Sequence, residues 1–301
     1  MAATEIALTG LHFAESPTTG PDGRLYISDF YAHELIAVDP ATFATSVVAK
    51  VPGQPSGMGW LPDGTQLVVS MRSKEVLAVA ADGTTTCHAD LSELARGAAN
   101  DMFVDSTGRA WVGTFGFDFY AELAADPDAD PLFGPGAEPP TADLILVEPD
   151  GTATTAATGL RFPNGTVALN DGTLVIAETV GACLTGFSVD SDGSLHDRRT
   201  VVDLSAAGIG DTALLPDGIC VDAEDGIWVS DPVAGRVLRF DAATAALTEV
   251  ITTSQPCFAV GFCGADLRTL VCATAESSNP NIAGVQRGGR LETARVGVGQ
   301  R

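Results

Sequence analysis

Apolar and polar positions along this chain fall into a unit that returns six times. In each return a short apolar run crosses a glycine-containing turn, enters a second run of β-forming residues, and after a loop reaches a third. The first unit reads ESPTTGPDGRLYISDFYAHELIAVDP from Glu15, and the second SGMGWLPDGTQLVVSMRSKEVLAVAADG from Ser56. The third begins NDMFVDSTGRAWVGTF at Asn100, the fourth NGTVALNDGTLVIAETVGACLTGFSVDSDG at Asn164, and the fifth DGICVDAEDGIWVSDPVAGRVLRFDAAT at Asp217. The sixth, PCFAVGFCGADLRTLVCATAE from Pro256, is the most divergent. Short β-rich runs joined by Asp-Gly or Thr-Gly turns predict hairpins. A fourth strand fits residues 44–51, 152–158, 199–203 and 246–251. Four antiparallel strands per unit is the pattern of a propeller blade. The expected fold is therefore all-β, a six-bladed β-propeller, with residues 1–301 as a single domain.

The register of the units can be counted. The turn glycine follows the opening residue by eight positions in four units: Glu15 to Gly23, Ser56 to Gly64, Asn100 to Gly108 and Asn164 to Gly172. In the fifth, Asp217 to Gly226, the count is nine. Equal counts mark one structural position. The first strand of each blade lies innermost, so a closed ring would bring these openings together around its axis.

Three segments stand outside the repeat. Residues 4–9 have strand character and no partner of their own; they are expected to complete the sixth blade beside residues 290–296, closing the ring without an exposed edge. Residues 91–96, introduced by Asp90, predict the one short helix. The third unit carries an insert at about 116–140, GFDFYAELAADPDADPLFGPGAEPP, which follows a second strand and so should lie on the face where the inner strands begin. Its Phe117, Phe119, Tyr120 and Phe133 suit a packed lid; a tolerated surface insertion is the plainer alternative.

Composition narrows the partners. The chain has a formal net charge of −23 and only two lysines, Lys50 and Lys74. Such a surface repels nucleic acid and anionic membranes, so neither is an expected partner. No apolar run reaches membrane-spanning length, and no basic segment followed by an apolar one marks a signal peptide. Six cysteines without a Cys-x-x-Cys pair read as reduced, mostly buried thiols, and the expected location is cytoplasmic. Composition gives no oligomeric state.

The opening residues carry the candidate chemistry. Glu15, Asn164 and Asp217 offer oxygen only, the donor that Ca²⁺, Mg²⁺ and Mn²⁺ prefer and that Zn²⁺ accepts less readily. An open divalent cation polarises a carbonyl and acidifies water, and a ligand carboxylate such as Asp217 would accept the proton. Taken singly, Pro163-Asn164-Gly165 and Pro216-Asp217-Gly218 are ordinary turn tripeptides. Yet each blade already has its hairpin turn further on, and several polar openings in register argue for one convergent site, catalytic or a structural plug. His12, His33, His88 and His196 occupy none of the matched positions, and neither a Gly-x-Ser-x-Gly elbow nor a glycine-rich phosphate loop is present.

The segments FAES at Phe13 to Ser16, AND at Ala99 to Asp101, FPNG at Phe162 to Gly165 and PDGI at Pro216 to Ile219 resemble the SMP-30/gluconolactonase family, in the same order and over about residues 10–285. The resemblance implies a six-bladed propeller hydrolysing a lactone around one divalent cation, Ca²⁺ foremost, with Zn²⁺, Mg²⁺ or Mn²⁺ as alternatives. It implies that Glu15, Asn164 and Asp217 bind the metal, that Asp217 is the catalytic base, and that Asn100 contacts substrate or a metal-bound water. The family's substrate-binding Arg, two residues before that Asn, is replaced by Ala98, with Arg96 further back. In the third-blade loop Asp118 stands in for the family's substrate-binding carboxylate, and Phe117 is its neighbour. Loss of an arginine and gain of aromatic residues point to a lactone less polar than a sugar lactone. Two readings compete: a phosphotriesterase-like or other esterase on the same scaffold, and a non-catalytic propeller binding a ligand or protein.

Overall fold

A computed structural model describes residues 2–205 and 214–300. Six antiparallel sheets form the blades of a β-propeller. From the innermost strand outward, the first blade runs Ala14–Thr19, Leu25–Asp29, Glu34–Val38, Thr45–Lys50, and the second Pro55–Trp60, Gln66–Ser70, Glu75–Val79, Thr85–Asp90. The third runs Ala99–Val104, Ala110–Thr114, Ala142–Val147, Ala153–Leu160, and the fourth Pro163–Ala168, Leu174–Glu178, Cys183–Val189, Leu195–Asp203. The fifth runs Ile219–Val221, Gly226–Asp231, Arg236–Asp241, Leu247–Thr252, with Ala2–Ala3 added in parallel at its outer edge. The sixth takes Cys257–Cys263, Thr269–Thr274 and Gly289–Arg295 from the C-terminal part, and its outer strand, Glu5–Leu11, from the N-terminus. Thr9 faces Arg290 and Leu11 faces Gly289, so the two ends of the chain close the ring as expected.

Each sheet is sandwiched between two neighbours, which explains its hydropathy. Every residue of Leu25–Asp29, Gln66–Ser70, Ala110–Thr114 and Leu174–Glu178 is buried, because both faces of a second strand pack against other blades. Outer strands such as Thr45–Lys50 are mostly exposed. Between the fifth and sixth blades Trp228 meets Phe262 edge-on, with ring centroids 6.4 Å apart.

Residues 91–96 do not form the expected helix. The amides of Leu94 and Ala95 both donate to the Leu91 carbonyl, and the turn stops at Gly97, whose φ is +88°. One turn without further propagation is too little to hold a helix. The helices lie elsewhere: α1 (Phe119–Ala125) in the third-blade insert and α2 (Pro280–Ala283) in the sixth blade. Among the described residues all six cysteines are unpaired, and no helix is long and apolar enough to cross a membrane.

Candidate functional site

The inner strands are irregular at one place. Pairing with the second strand breaks just beyond Glu15 in the first blade, across Ser56 in the second, across Asn100 in the third and across Asn164 in the fourth. Such a bulge re-aims side chains at the end of a strand. Consecutive residues then turn to opposite ends of the channel. Glu15, Asn100, Asn164 and Asp217 face one cavity, while Ser16, Asp101, Gly165 and Gly218 face another. In the sixth blade the same break follows Cys257, so the matching position is Phe258, an aromatic residue completing a polar ring. Sequence counting did not reach Phe258 because the sixth unit is the most divergent.

Glycines set the distance between adjoining inner strands. A Cβ on Gly165 would stand 2.4 Å from the Ile219 nitrogen, so only glycine lets the fourth blade approach the fifth this closely. The Gly165 amide donates to the Asp217 carbonyl at 3.3 Å, and the Gly218 amide to the Phe258 carbonyl at 2.8 Å. The glycine of each Pro-Asn-Gly and Pro-Asp-Gly tripeptide thus closes the ring while the residue before it points into the cavity.

Carboxylates at the ends of second strands brace the segments leading in. Asp29 accepts the His12 and Phe13 amides, both at 3.0 Å, and Glu178 accepts the Arg161 amide at 2.6 Å. These braces were not singled out from the sequence, although Ser28-Asp29, Ala177-Glu178 and Ser230-Asp231 recur at the same place. His12 turns away from the ring, its Nδ1 lying 3.1 Å from the Ala283 carbonyl oxygen.

Of the four cavity-facing residues Glu15, Asn100 and Asn164 are buried and Asp217 is half-buried, and the two amides are joined. Asn100 Nδ2 donates to Asn164 Oδ1 at 2.9 Å, and Asn164 Nδ2 donates to Thr179 Oγ1 at 3.2 Å. On the other side of the ring Asp101 accepts from Ser56 at 3.2 Å and Ser16 at 3.4 Å. Burial pushes the Glu15 carboxyl well above the usual carboxylate range, and the charges of Asp217 and Asp101 push it further. Burial and then the Asp101 charge raise Asp217 likewise, against a hydrogen bond from Asn164. Burial raises Asp101 to about 6, against the two serine hydroxyls.

This donor set fits a hard divalent cation. Glu15 Oε2 is buried and has no hydrogen-bond partner, a costly state for an ionised oxygen unless positive charge stands beside it. A buried carboxylate whose pKa is raised by neighbouring carboxylates, as Glu15 is by Asp217 and Asp101, either keeps a proton or shares a cation with them. Among the described residues no three histidine, cysteine or carboxylate side chains form a metal cluster, so a cation here would need the amides as ligands too.

The cavity above these residues has a volume of 330 Å³. One wall combines Phe13, Phe30 and Phe258, with Phe13 and Phe258 centroids 4.8 Å apart. The facing wall joins Phe115 and Phe162, 4.7 Å apart, to Phe119 and Tyr120 of α1. The insert adds Leu132 and Phe133 and therefore builds part of this site. It does not bring in Asp118 or Phe117. Asp118 is exposed and caps α1, accepting the Ala121 amide at 3.0 Å, and Phe117 lies outside the lining, its ring against Phe119. Arg96 is exposed, its guanidinium 3.3 Å from the Thr141 carbonyl and 3.4 Å from Asp143. The cavity at the opposite end is larger, 630 Å³, but holds none of the four ring residues.

Fold and site together define a propeller with an oxygen-lined, aromatic-walled cavity at one end of its axial channel. The pattern of the SMP-30/Gluconolactonase/LRE-like region matches residues 13–276, and the chain belongs to that family. It is similar to the pentonolactonase XacC of Haloferax volcanii, with 27% identity over 293 residues, which cover 94% of this chain and 89% of the relative. Its fold is similar to that of a luciferin-regenerating enzyme (TM-score 0.81, 18% identity, 100% of this chain and 98% of the other). It is also similar to that of a calcium-binding protein, regucalcin, from Agrobacterium tumefaciens (TM-score 0.78, 22% identity, 100% and 96%).

Proposed function

We propose that this protein is a divalent-cation-dependent hydrolase that opens a lactone ring. The observation that carries the reading is the pair of carboxylates Glu15, buried, and Asp217, half-buried, with Glu15 Oε2 left without a partner at the floor of a substrate-sized cavity. Membership of a family with a relative named pentonolactonase supports the reaction, and a structural relative described as calcium-binding supports the cation.

Glu15, Asn164 and Asp217 would hold the cation, Ca²⁺ foremost. Bound there, it supplies the positive charge that polarises a lactone carbonyl and acidifies water. The side chains do the rest. Asn164 is oriented by Thr179 and Asn100, which fixes its amide at the floor. Asn100 steadies the lactone oxygens. Asp217 accepts the proton of the attacking water and returns it to the alkoxide released when the ring C–O bond breaks. The aromatic walls keep other water out of the cavity.

The test pairs binding with turnover. Calorimetry with Ca²⁺ on chelated protein should show a site that Glu15→Gln weakens, and lactone opening followed by pH indicator should vanish on chelation and return with the cation. Asp217→Asn should cost about 10²–10⁴-fold in kcat. Full activity in Asp217→Asn, or turnover of aryl esters and phosphotriesters alone, would overturn the reading.

A further inference from the structure

We propose that the substrate is an uncharged lactone bearing a hydrocarbon substituent, alkyl or aryl, and not a polyhydroxylated or anionic one. This rests on the lactonase reading of the same cavity and adds to it the class of compound admitted.

The cavity is divided by chemistry. Its carboxylates and amides from the ring, Glu15, Asn100, Asn164 and Asp217, lie at the floor, where a lactone's ester atoms would sit; Tyr31, Tyr120, Thr179, Glu276, Ser277 and Ser278 are the other polar residues of the lining. Above them two aromatic walls face each other, one from the first and sixth blades and one from the third and fourth blades with α1. The ring position that would offer a fifth polar contact is taken by Phe258. A sugar lactone presents several hydroxyls, each of which loses water on entry and needs a replacement partner. The phenyl faces that make up most of the walls give none, and the Tyr31 hydroxyl is already spent on the Ser278 carbonyl, 2.7 Å away.

Charge excludes anions. No Lys, Arg or His is among the described residues lining the cavity to pair with an anionic substituent, and Glu276 adds a carboxylate beyond the two that would hold the cation. The nearby arginines are engaged elsewhere. Arg72 stacks its guanidinium 4.9 Å from the Tyr120 ring centroid, and Arg96 is held at the base of the insert. At the entrance Phe133 and Val233 leave 47% and 49% of their surface exposed, extending the apolar path outward.

One wall residue is held at a cost. Phe162 has φ +61°, a left-handed conformation that a bulky side chain rarely adopts and that Asn or Gly takes readily. Its ring packs on Phe115, and together they cover the floor beside Asn164. An aromatic residue kept where the backbone favours Asn is consistent with a side chain needed for the wall.

The experiment compares kcat/KM for an unsubstituted γ-lactone, the same ring with a pentyl chain, an aryl-fused lactone and a pentonolactone. The preference is expected to rise about fourfold per added methylene until the cavity is full, the factor given by burying one methylene. Phe162→Asn, which relieves the backbone, and Phe119→Ser, on a helix outside the blades, should each cut the pentyl-over-unsubstituted ratio by about tenfold. Should Phe162→Asn fail to fold, Phe119→Ser decides. Higher kcat/KM for the pentonolactone than for the pentyl lactone, or a ratio unmoved by the variants, overturns the inference and leaves the lactonase reading standing. If no lactone is opened, that reading falls. Calorimetric binding of the unhydrolysable pentyl γ-lactam against its dihydroxylated counterpart then still decides what the cavity admits, with tighter binding of the hydroxylated lactam overturning the inference.

Discussion

Asn100 Nδ2 donates to Asn164 Oδ1 at 2.9 Å, across the junction of the third and fourth blades. Their backbones lie on separate sheets, so the bond exists only because the two blades pack side by side. It also fixes the orientation of the Asn164 amide, since Asn164 Nδ2 donates to Thr179 Oγ1. Thr179→Val keeps the shape and removes that acceptor. Cation affinity should fall about 10–100-fold, the usual effect of losing a group that orients a ligand. Stability should fall by about 1–3 kcal/mol from the unpaired amide. Calorimetry and urea unfolding measure the two separately.

The buried carboxyls predict a pH dependence for the cation-free chain. Glu15, Asp217 and Asp101 all have raised folded-state pKa values, burial being the largest cause in each. Above about pH 4 the unfolded chain releases these protons while the native chain retains them, so native stability falls as pH rises. The fall runs through about 6, where Asp101 titrates, and on through the range of Glu15 and Asp217. Chelated protein should therefore have a higher urea midpoint at about pH 5 than at about pH 7, with Glu15→Gln flattening the difference. Ca²⁺ should act in the opposite direction, stabilising most at the higher pH, because ligands must be deprotonated to bind. A chelated chain that gains stability between those pH values would contradict the clustering of the three carboxyls.

Gly165 separates steric need from backbone strain. Its φ is not positive, so Gly165→Ala strains nothing locally, but the new Cβ would meet the Ile219 nitrogen at 2.4 Å. The fourth and fifth blades must then part, at about 1–3 kcal/mol, the typical cost of overpacking. Gly288, with nothing within 4 Å of a built Cβ and no positive φ, is the control, and Gly288→Ala should be neutral. Equal urea midpoints for the two variants would contradict the close approach.

How much of this was legible depended on register. Glu15, Asn100, Asn164 and Asp217 could be found because each sits at a fixed count from a turn glycine, and repetition turns a count into a position. Asp118 lies in the insert, where no repeat fixes the direction of a side chain, and its carboxylate caps α1. Phe258 lies in an inner strand that is apolar throughout, and Phe115 directly follows the second strand Ala110–Thr114; in such runs an aromatic residue reads as core. Phe13 and Phe162 each stand two residues before a ring residue, inside segments already marked by resemblance; that shared offset was the available signal for the walls. Thr179 follows the end of a strand and carries no pattern of its own. The helix expected at 91–96 failed because its capping Asp90 was followed by only one turn before Gly97.

Closure by the N-terminus ties fold to site. Glu5–Leu11 covers the outer edge of Gly289–Arg295, and Thr4 Oγ1 bonds the Glu292 carboxylate, which is fully buried. Deleting residues 2–11 would expose a seven-residue strand edge, a template for association. It would also leave Leu291 and Glu292 open to water. The sixth blade supplies Phe258 and adjoins the first, which supplies Glu15, so loosening this junction would spread the floor of the cavity. The truncated chain should associate on size exclusion, melt lower by on the order of 10 °C, as a loss of several kcal/mol does in a chain of this size, and lose its calorimetric Ca²⁺ site. A synthetic peptide of residues 2–11 added in trans should restore all three, because the strand is held by ladder bonds and side-chain burial without a covalent need for its place in the chain. A truncated chain that stays monomeric and binds Ca²⁺ as before would show that five blades and an open sixth suffice to hold Glu15 against Asp217.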